Sequence, residues 1–219
     1  MAKLDIAQAL RYAGVTGEPP EALLQNARDA ARQVEAIAPR SVFRAYPLRR
    51  SGGEIALEGS GVTLTGALAG GMLAECDRAV LLLCTLGEAF DAMLRREQAR
   101  DMARALLLDA CASAWVETAC DELEREIAAR FPGAHLTDRF SPGYGDLPLA
   151  LQAPLCAALD APRRAGVHVT ASMLLSPAKS VTAIIGLADH PQAARVRGCD
   201  FCELKESCAL RRGGKSCAV

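Results

Sequence analysis

Apolar residues recur with helical spacing in two long segments of the chain. In the first segment, residues 20–39, the apolar positions lie four, three, four and three residues apart, which places them on one face of a helix. They are Leu23, Ala27, Ala30, Val34 and Ile37. Pro39 ends this segment, and the second segment, residues 102–131, is rich in alanine and predicts the longest helix. Shorter helices are predicted over 2–14, from residue 85 to a break near 99–101, and over 149–159.

The remaining apolar runs predict strands. In residues 41–48, Val42, Arg44 and Tyr46 alternate with other side chains, as in a strand. Residues 54–65 contain two short β-prone runs separated by a Gly-Ser-Gly sequence. Together these segments predict a hairpin or small meander. Residues 80–84 are continuously apolar and predict a buried strand, and two further runs within 167–187 are separated by Ser176 and Pro177. Helices and strands are grouped and do not alternate. We therefore predict the α+β class, with an antiparallel or mixed twisted sheet and several packed helices.

Composition and charge limit the classes of partner. The chain has 219 residues, 51% of them hydrophobic, with a net charge of -1, which suits a globular protein and offers no overall attraction to nucleic acid or anionic membranes. Lys3, Asp5 and Arg11 interrupt the apolar region that a secretory signal needs. No apolar run reaches the ~20 residues that cross a bilayer. We predict a cytoplasmic protein with one domain over 1–195 and a tail over 196–219.

The tail contains the strongest local motif. Of the nine cysteines, four lie in the last 21 residues with the spacing Cys-x2-Cys-x5-Cys-x8-Cys. They are Cys199, Cys202, Cys208 and Cys217. Four thiolates are the ligand set of a structural zinc ion or an iron-sulfur cluster. Structural zinc sites usually have two Cys-x2-Cys pairs, and the tail has one, which favours [4Fe-4S] and keeps zinc as the alternative.

Two other interpretations of the cysteines remain open. Two disulfides or free thiols would fit the same tail, although a reducing cytoplasm disfavours disulfides. The five cysteines outside the tail lie in apolar surroundings without paired spacing, and we predict that they are small core residues. They are Cys76, Cys84, Cys111, Cys120 and Cys156.

Residues 139–149, Arg-Phe-Ser-Pro-Gly-Tyr-Gly-Asp-Leu-Pro-Leu, predict a binding loop. Gly143 and Gly145 permit positive φ angles and close approach of a ligand to the backbone, and the prolines stiffen the loop. Arg139 can bind a carboxylate or phosphate, Tyr144 can stack on a heterocycle, and Asp146 can accept from a hydroxyl or amine. The alternative is a capping loop in which Arg139 pairs with a neighbouring aspartate.

A polar stripe on the long predicted helix is a weaker signal. Asp109, Ser113, Glu117 and Asp121 recur every four residues. Such a stripe usually faces solvent. The alternative is a row that faces a cleft, in which Glu117 neutralises a cationic ligand such as a sulfonium.

Three segments together resemble a known family. The sequence Arg-Phe-Ser-Pro-Gly-Tyr at 139–144, Gly-Val-His-Val-Thr at 166–170 and Ser-Pro-Ala-Lys-Ser-Val at 176–181 resemble the reactivation domain of cobalamin-dependent methionine synthase, in particular its short free-standing relatives. The resemblance covers most of the chain and implies an α+β domain that binds S-adenosylmethionine. It implies that Arg139 contacts the methionine carboxylate, that the backbone around Ser141 and Gly143 contacts the nucleoside, and that Tyr144 contacts the sulfonium or adenine.

The resemblance also implies a function. We expect an accessory protein of a corrinoid methyltransferase such as methionine synthase, which supports reductive methylation of cob(II)alamin by S-adenosylmethionine. The chain lacks an Asp-x-His-x-x-Gly motif, so cobalamin would be presented by the partner protein. Electrons would enter through a tail cluster or from a flavodoxin or ferredoxin. The alternatives are a non-catalytic corrinoid-protein-binding module with a structural zinc tail, and an independent methyltransferase.

Overall fold

The structure is a computed structural model that describes residues 3–193, 196 and 205–214. In chain order the helices are α1 Ile6–Tyr12, α2 Glu21–Glu35, α3 Ala67–Met72, α4 Gly87–Gln98, α5 Met102–Arg130, α6 Gln152–Ala158, α7 Ala161–Ala165 and α8 Ala209–Arg212. The strands are β1 Arg40–Ser51, β2 Glu54–Leu57, β3 Val62–Leu64, β4 Arg78–Thr85, β5 His135–Leu136, β6 His168–Val169, β7 Leu175–Ser176 and β8 Ser180–Ala188. A 3₁₀ turn, Leu149–Leu151, precedes α6.

Two helices follow directly from their sequences. The stripe predicted within residues 20–39 forms α2, which buries Ala27, Ala30 and Val34. The alanine-rich segment forms α5, the longest described helix at 29 residues. By contrast α1 begins later than predicted, because the Asp5 carboxylate accepts from the backbone N–H groups of Ala7 and Gln8 and caps the helix there.

Six strands form one sheet in the order β3-β2-β1-β4-β8-β5. The β1–β2, β2–β3 and β5–β8 pairs are antiparallel, and the Gly-Ser-Gly sequence forms the predicted turn between β2 and β3. The continuous apolar run forms β4, which is buried along nearly its whole length. Strands β6 and β7 form a separate antiparallel pair. The α+β class with an antiparallel sheet and several helices is therefore confirmed.

The chain divides into two compact units that interleave in sequence. The first comprises Met1–Val42, Leu83–Ile127 and Leu159–Val181, and the second comprises Phe43–Leu82, Ala128–Ala158 and Thr182–Val219. In the first unit, small side chains of α2 and α5 are buried, and the Trp115 indole N–H donates to the Ile37 carbonyl at 3.0 Å. In the second unit, α6 contacts β3, and the Tyr46 hydroxyl donates to the Ala158 carbonyl at 3.0 Å.

Three elements differ from the predictions. Helix α3 was not predicted, because Gly70 and Gly71 have low helix propensity. The helix predicted over 149–159 begins as a 3₁₀ turn and ends at Ala158, and α7 follows it after Asp160, which has a positive φ of 52°. The paired runs predicted within 167–187 are a short hairpin, β6 and β7, followed by β8. None of the described helices is long and apolar enough to cross a membrane.

Candidate functional site

The predicted binding loop is attached to β8 at its start. Phe140 and Ile184 form an isolated antiparallel bridge, with Phe140 N donating to Ile184 O at 3.0 Å and Ile184 N donating to Phe140 O at 2.8 Å. The Phe140 side chain is 2% exposed. Both residues belong to the second unit. The bridge therefore fixes the backbone next to Arg139 against a central strand.

Backbone hydrogen bonds between nearby residues fold the loop into two consecutive turns. Tyr144 N donates to Ser141 O at 3.1 Å, and Leu147 N donates to Tyr144 O at 2.9 Å. Gly143 N donates back to Leu147 O at 2.8 Å. Leu147 is 1% exposed, whereas Tyr144 is 46% exposed. The loop therefore has a buried anchor at its end and an exposed aromatic side chain at its tip.

Asp146 caps a helix. Its carboxylate accepts from the backbone N–H of Leu68 at 3.0 Å and from that of Ala67, in the first turn of α3. These two hydrogen bonds lower the pKa of Asp146 below the ordinary value of 3.8, and the one from Leu68 has the larger effect. Gly66 makes room for the carboxylate, because a Cβ at this position would lie 2.7 Å from an Asp146 oxygen. Asp146 thus has a structural task, and its predicted contact with a ligand stays a prediction.

The two loop glycines have structural tasks as well. Gly143 has a φ of 88° and Gly145 a φ of 53°, conformations that favour glycine. A Cβ on Gly143 would lie 3.3 Å from a side-chain carbon of Leu149, and one on Gly145 would lie 3.4 Å from Leu68. Each glycine therefore packs against one leucine side chain, while both glycines remain exposed to solvent. The turn and its packing account for both glycines without a ligand.

The loop brings most of the predicted ligand contacts into one place. Arg139 and Ser141 are half-buried, and Gly143 and Tyr144 are exposed. All four belong to the second unit, whereas Glu117 belongs to the first, where it is half-buried on α5. Their roles in binding S-adenosylmethionine remain predictions.

The cysteines separate into buried and tail positions. All five outside the tail are buried and none forms a disulfide bond, as predicted for core residues. Burial raises the pKa of Cys76, Cys111 and Cys156 to about 11, so these thiols are protonated at neutral pH. Of the four tail cysteines only Cys208 lies within the described residues, where it is free and half-buried. Cys199, Cys202 and Cys217 lie outside them. Among the described residues no group of three or more potential ligands could hold a metal ion.

One hydrogen bond connects the start of the tail with the start of the loop. The backbone N–H of Val196 donates to the Asp138 carboxylate at 3.1 Å. Asp138 directly precedes Arg139, and Val196 lies three residues before Cys199. The sequence contains no signal for this contact, because it joins residues 58 positions apart.

The contacts of Lys179 were likewise not predicted. Its ammonium group donates to the Asp109 carboxylate at 2.9 Å and to the Ser113 hydroxyl at 2.8 Å, and its side chain is 17% exposed. Lys179 belongs to the Ser-Pro-Ala-Lys-Ser-Val segment at 176–181. Its hydrogen bonds therefore hold this segment against α5. Within the polar stripe, Asp109 therefore forms an ion pair with Lys179 and Ser113 accepts a hydrogen bond from it, which neither interpretation of the stripe predicted.

Comparisons with known proteins place this fold. No protein-family model matches the chain, and no curated protein matches its sequence. The chain is similar in structure to an α+β domain of known structure, with a TM-score of 0.66 and 18% sequence identity over 97% of this chain and 83% of the other. That structure is the crystal structure of the MetH reactivation domain bound to AdoHcy. The chain therefore has the reactivation-domain fold, as the sequence resemblance predicted.

Proposed function

We propose that this chain binds S-adenosylmethionine and supports the reductive methylation of cob(II)alamin held by a corrinoid methyltransferase such as methionine synthase. One observation carries the proposal: the fold of a domain that binds AdoHcy coincides with an Arg-Phe-Ser-Pro-Gly-Tyr loop at 139–144. AdoHcy is what S-adenosylmethionine becomes after giving up its methyl group. The chain would therefore bind the methyl donor and present it to cobalamin on the partner.

The loop supplies the binding groups from a rigid frame. Phe140 is held on β8 by two backbone hydrogen bonds, and the helix that follows the loop is held on β8 by the buried Gln152 side chain, which accepts from the Thr182 hydroxyl. Fixed backbone reduces the conformational entropy lost when a ligand binds. In the proposal Arg139 binds the methionine carboxylate, backbone near Ser141 binds the nucleoside, and Tyr144 stacks on the adenine or contacts the sulfonium.

The chemistry also needs an electron. One electron and the methyl group of S-adenosylmethionine convert cob(II)alamin into methylcobalamin and release AdoHcy. Reduction of cob(II)alamin is unfavourable for ordinary cellular donors, and methyl transfer draws it forward. In the proposal this chain holds the methyl donor in position and provides the route by which the electron enters.

The C-terminal tail is the proposed route. In the proposal residues 196–219 are a separate tail in which Cys199, Cys202, Cys208 and Cys217 bind a [4Fe-4S] cluster, with zinc as the alternative. The Val196–Asp138 hydrogen bond supports this role, because it fixes the start of the tail beside the loop. Three residues of chain from Val196 to Cys199 span at most about 11 Å. A flavodoxin or ferredoxin would supply the electron.

Replacing Arg139 by alanine tests the donor site. We expect S-adenosylmethionine to bind the wild type and to lose roughly 1.5–3 kcal/mol of affinity in this variant, because a hydrogen bond to a charged group is lost. Isothermal titration calorimetry measures both affinities. The matched control is Arg49→Ala, which removes an exposed arginine of the same unit that pairs with Glu58. Equal affinities for wild type and Arg139→Ala would remove Arg139 from the site.

Anaerobic reconstitution with iron and sulfide tests the tail. We expect a brown protein with an absorption band typical of [4Fe-4S], and loss of the band after Cys199→Ser with Cys202→Ser. The control is Cys156→Ser, which changes a buried cysteine outside the tail. A colourless protein that binds one zinc ion tightly would refute electron entry through the tail.

The second candidate function is a non-catalytic module that binds a corrinoid protein and uses a zinc tail as a structural element. The structural tasks of Asp146, Gly143 and Gly145 favour it, since the fold alone accounts for these three residues. This module would not bind S-adenosylmethionine, so the calorimetric titration of the wild type separates the two functions. A cytoplasmic location is part of both proposals.

A further inference from the structure

A groove in the first unit has the lining of a small-molecule site. Its volume is about 830 Å³, within the roughly 300–1,000 Å³ of typical ligand pockets. It lies between the N-terminal segment, the end of α2 and one face of α5, and every lining residue belongs to the first unit. None of its lining residues belongs to the 139–149 loop, which is part of the second unit.

An aromatic side chain forms part of the floor. Trp115, Ala119, Glu122 and Glu126 line the groove at spacings of four, three and four residues, which places them on one face of α5. The Trp115 indole N–H donates to the Ile37 carbonyl at 3.0 Å, so the position of the ring is fixed. Apolar atoms of Leu123 and of neighbouring side chains complete this floor.

The charges around the groove favour a cation. Five charged side chains line it: Lys3, Glu35, Glu122, Arg125 and Glu126. Arg125 and Glu122 neutralise each other in an ion pair of 2.7 Å. Of the other three, one is a cation and two are carboxylates, so the groove carries one excess negative charge. One oxygen of Glu35 accepts from the backbone N–H of Leu4 at 2.8 Å, which fixes this carboxylate at the groove.

We propose that this groove binds a small organic monocation with an aromatic or apolar group, of the class of a protonated arylalkylamine. The aromatic group would pack on the apolar floor, and the ammonium group would lie near the Trp115 ring and the Glu35 and Glu126 carboxylates. A cation near an indole ring is attracted by its quadrupole, and the attraction grows as water is excluded. Anionic ligands are disfavoured by the excess negative charge.

The chain offers a direct readout, because Trp115 is its only tryptophan. The probe is 2-phenylethylamine, which is protonated at pH 7, and its neutral match is 2-phenylethanol. We expect saturable quenching or shift of the Trp115 emission by the amine and a response at least about five-fold weaker to the alcohol. No saturable response to the amine, or equal responses to both compounds, would overturn the proposal.

Two variants locate the bound probe. Glu126→Gln should weaken binding of the amine by about two- to five-fold, as expected for one partly solvated carboxylate. Glu18→Gln, at an exposed position that does not line the groove, should leave binding of the amine unchanged. Equal effects of both variants would overturn the proposal. Arg139→Ala distinguishes this groove from the proposed methyl-donor site, because it should leave amine binding intact; a parallel loss of amine and S-adenosylmethionine binding would contradict two separate sites.

Discussion

Replacing Phe140 by alanine should lower the free energy of unfolding by about 3–5 kcal/mol, the range observed for large aromatic side chains removed from a core. Phe140 is 2% exposed and pairs with β8 at the start of the predicted binding loop. The substitution removes the packed ring and retains both backbone hydrogen bonds to Ile184. Chemical denaturation followed by circular dichroism measures the change.

Tyr144→Ala is the matched control, because it truncates an aromatic side chain in the same loop at a position that is 46% exposed. We expect it to change stability by less than about 1 kcal/mol and to weaken binding of S-adenosylmethionine. If Tyr144→Ala destabilised the protein as much as Phe140→Ala, the distinction between a buried and an exposed aromatic side chain in this loop would be wrong.

Replacing Gly186 by alanine should be the next most damaging change, at about 1–3 kcal/mol or more. A Cβ on this residue of β8 would lie 2.5 Å from the Cys76 sulfur, 2.8 Å from a Leu73 carbon and 2.9 Å from a Thr137 carbon. All three neighbours are buried, so none has open space to move into. Thermal or chemical denaturation measures the loss.

Two further variants test the steric cause. Gly70→Ala places the same methyl group in α3 where nothing lies within 4 Å, and it should be neutral or stabilise the protein by up to about 1 kcal/mol. Adding Cys76→Ala to Gly186→Ala removes the nearest atom and should recover part of the lost stability, which a double-mutant cycle detects. A Gly186→Ala protein as stable as the wild type would contradict the packing described for β8.

Patterns among neighbouring residues predicted the elements that are determined by neighbouring residues. The spacing of apolar residues predicted α2, the continuous apolar run predicted β4, and the glycines at residues 59 and 61 predicted the β2–β3 turn. Helix α3 could not be predicted, because its cap is the Asp146 carboxylate, 79 residues further along the chain than Ala67. A cap supplied from such a distance leaves no trace in a window of neighbouring residues.

The geometry of the candidate loop was only partly predictable, and the binding roles of its residues remain predictions. The resemblance pointed to residues 139–144, and the fold agrees with it. The sequence could not show that Leu68 packs against the turn at Gly145, or that Lys179 donates hydrogen bonds to both Asp109 and Ser113. Each of these contacts depends on long-range packing, since the spacing of residues along the chain does not specify which side chains meet.

A crystal structure of this chain with AdoHcy tests the central claim most directly. We predict electron density for the nucleoside against residues 139–144, with the amino acid carboxylate on the Arg139 guanidinium and the ring of Tyr144 in contact with the ligand. Saturating AdoHcy that gives no density at this loop, or that binds elsewhere on the chain, would contradict it.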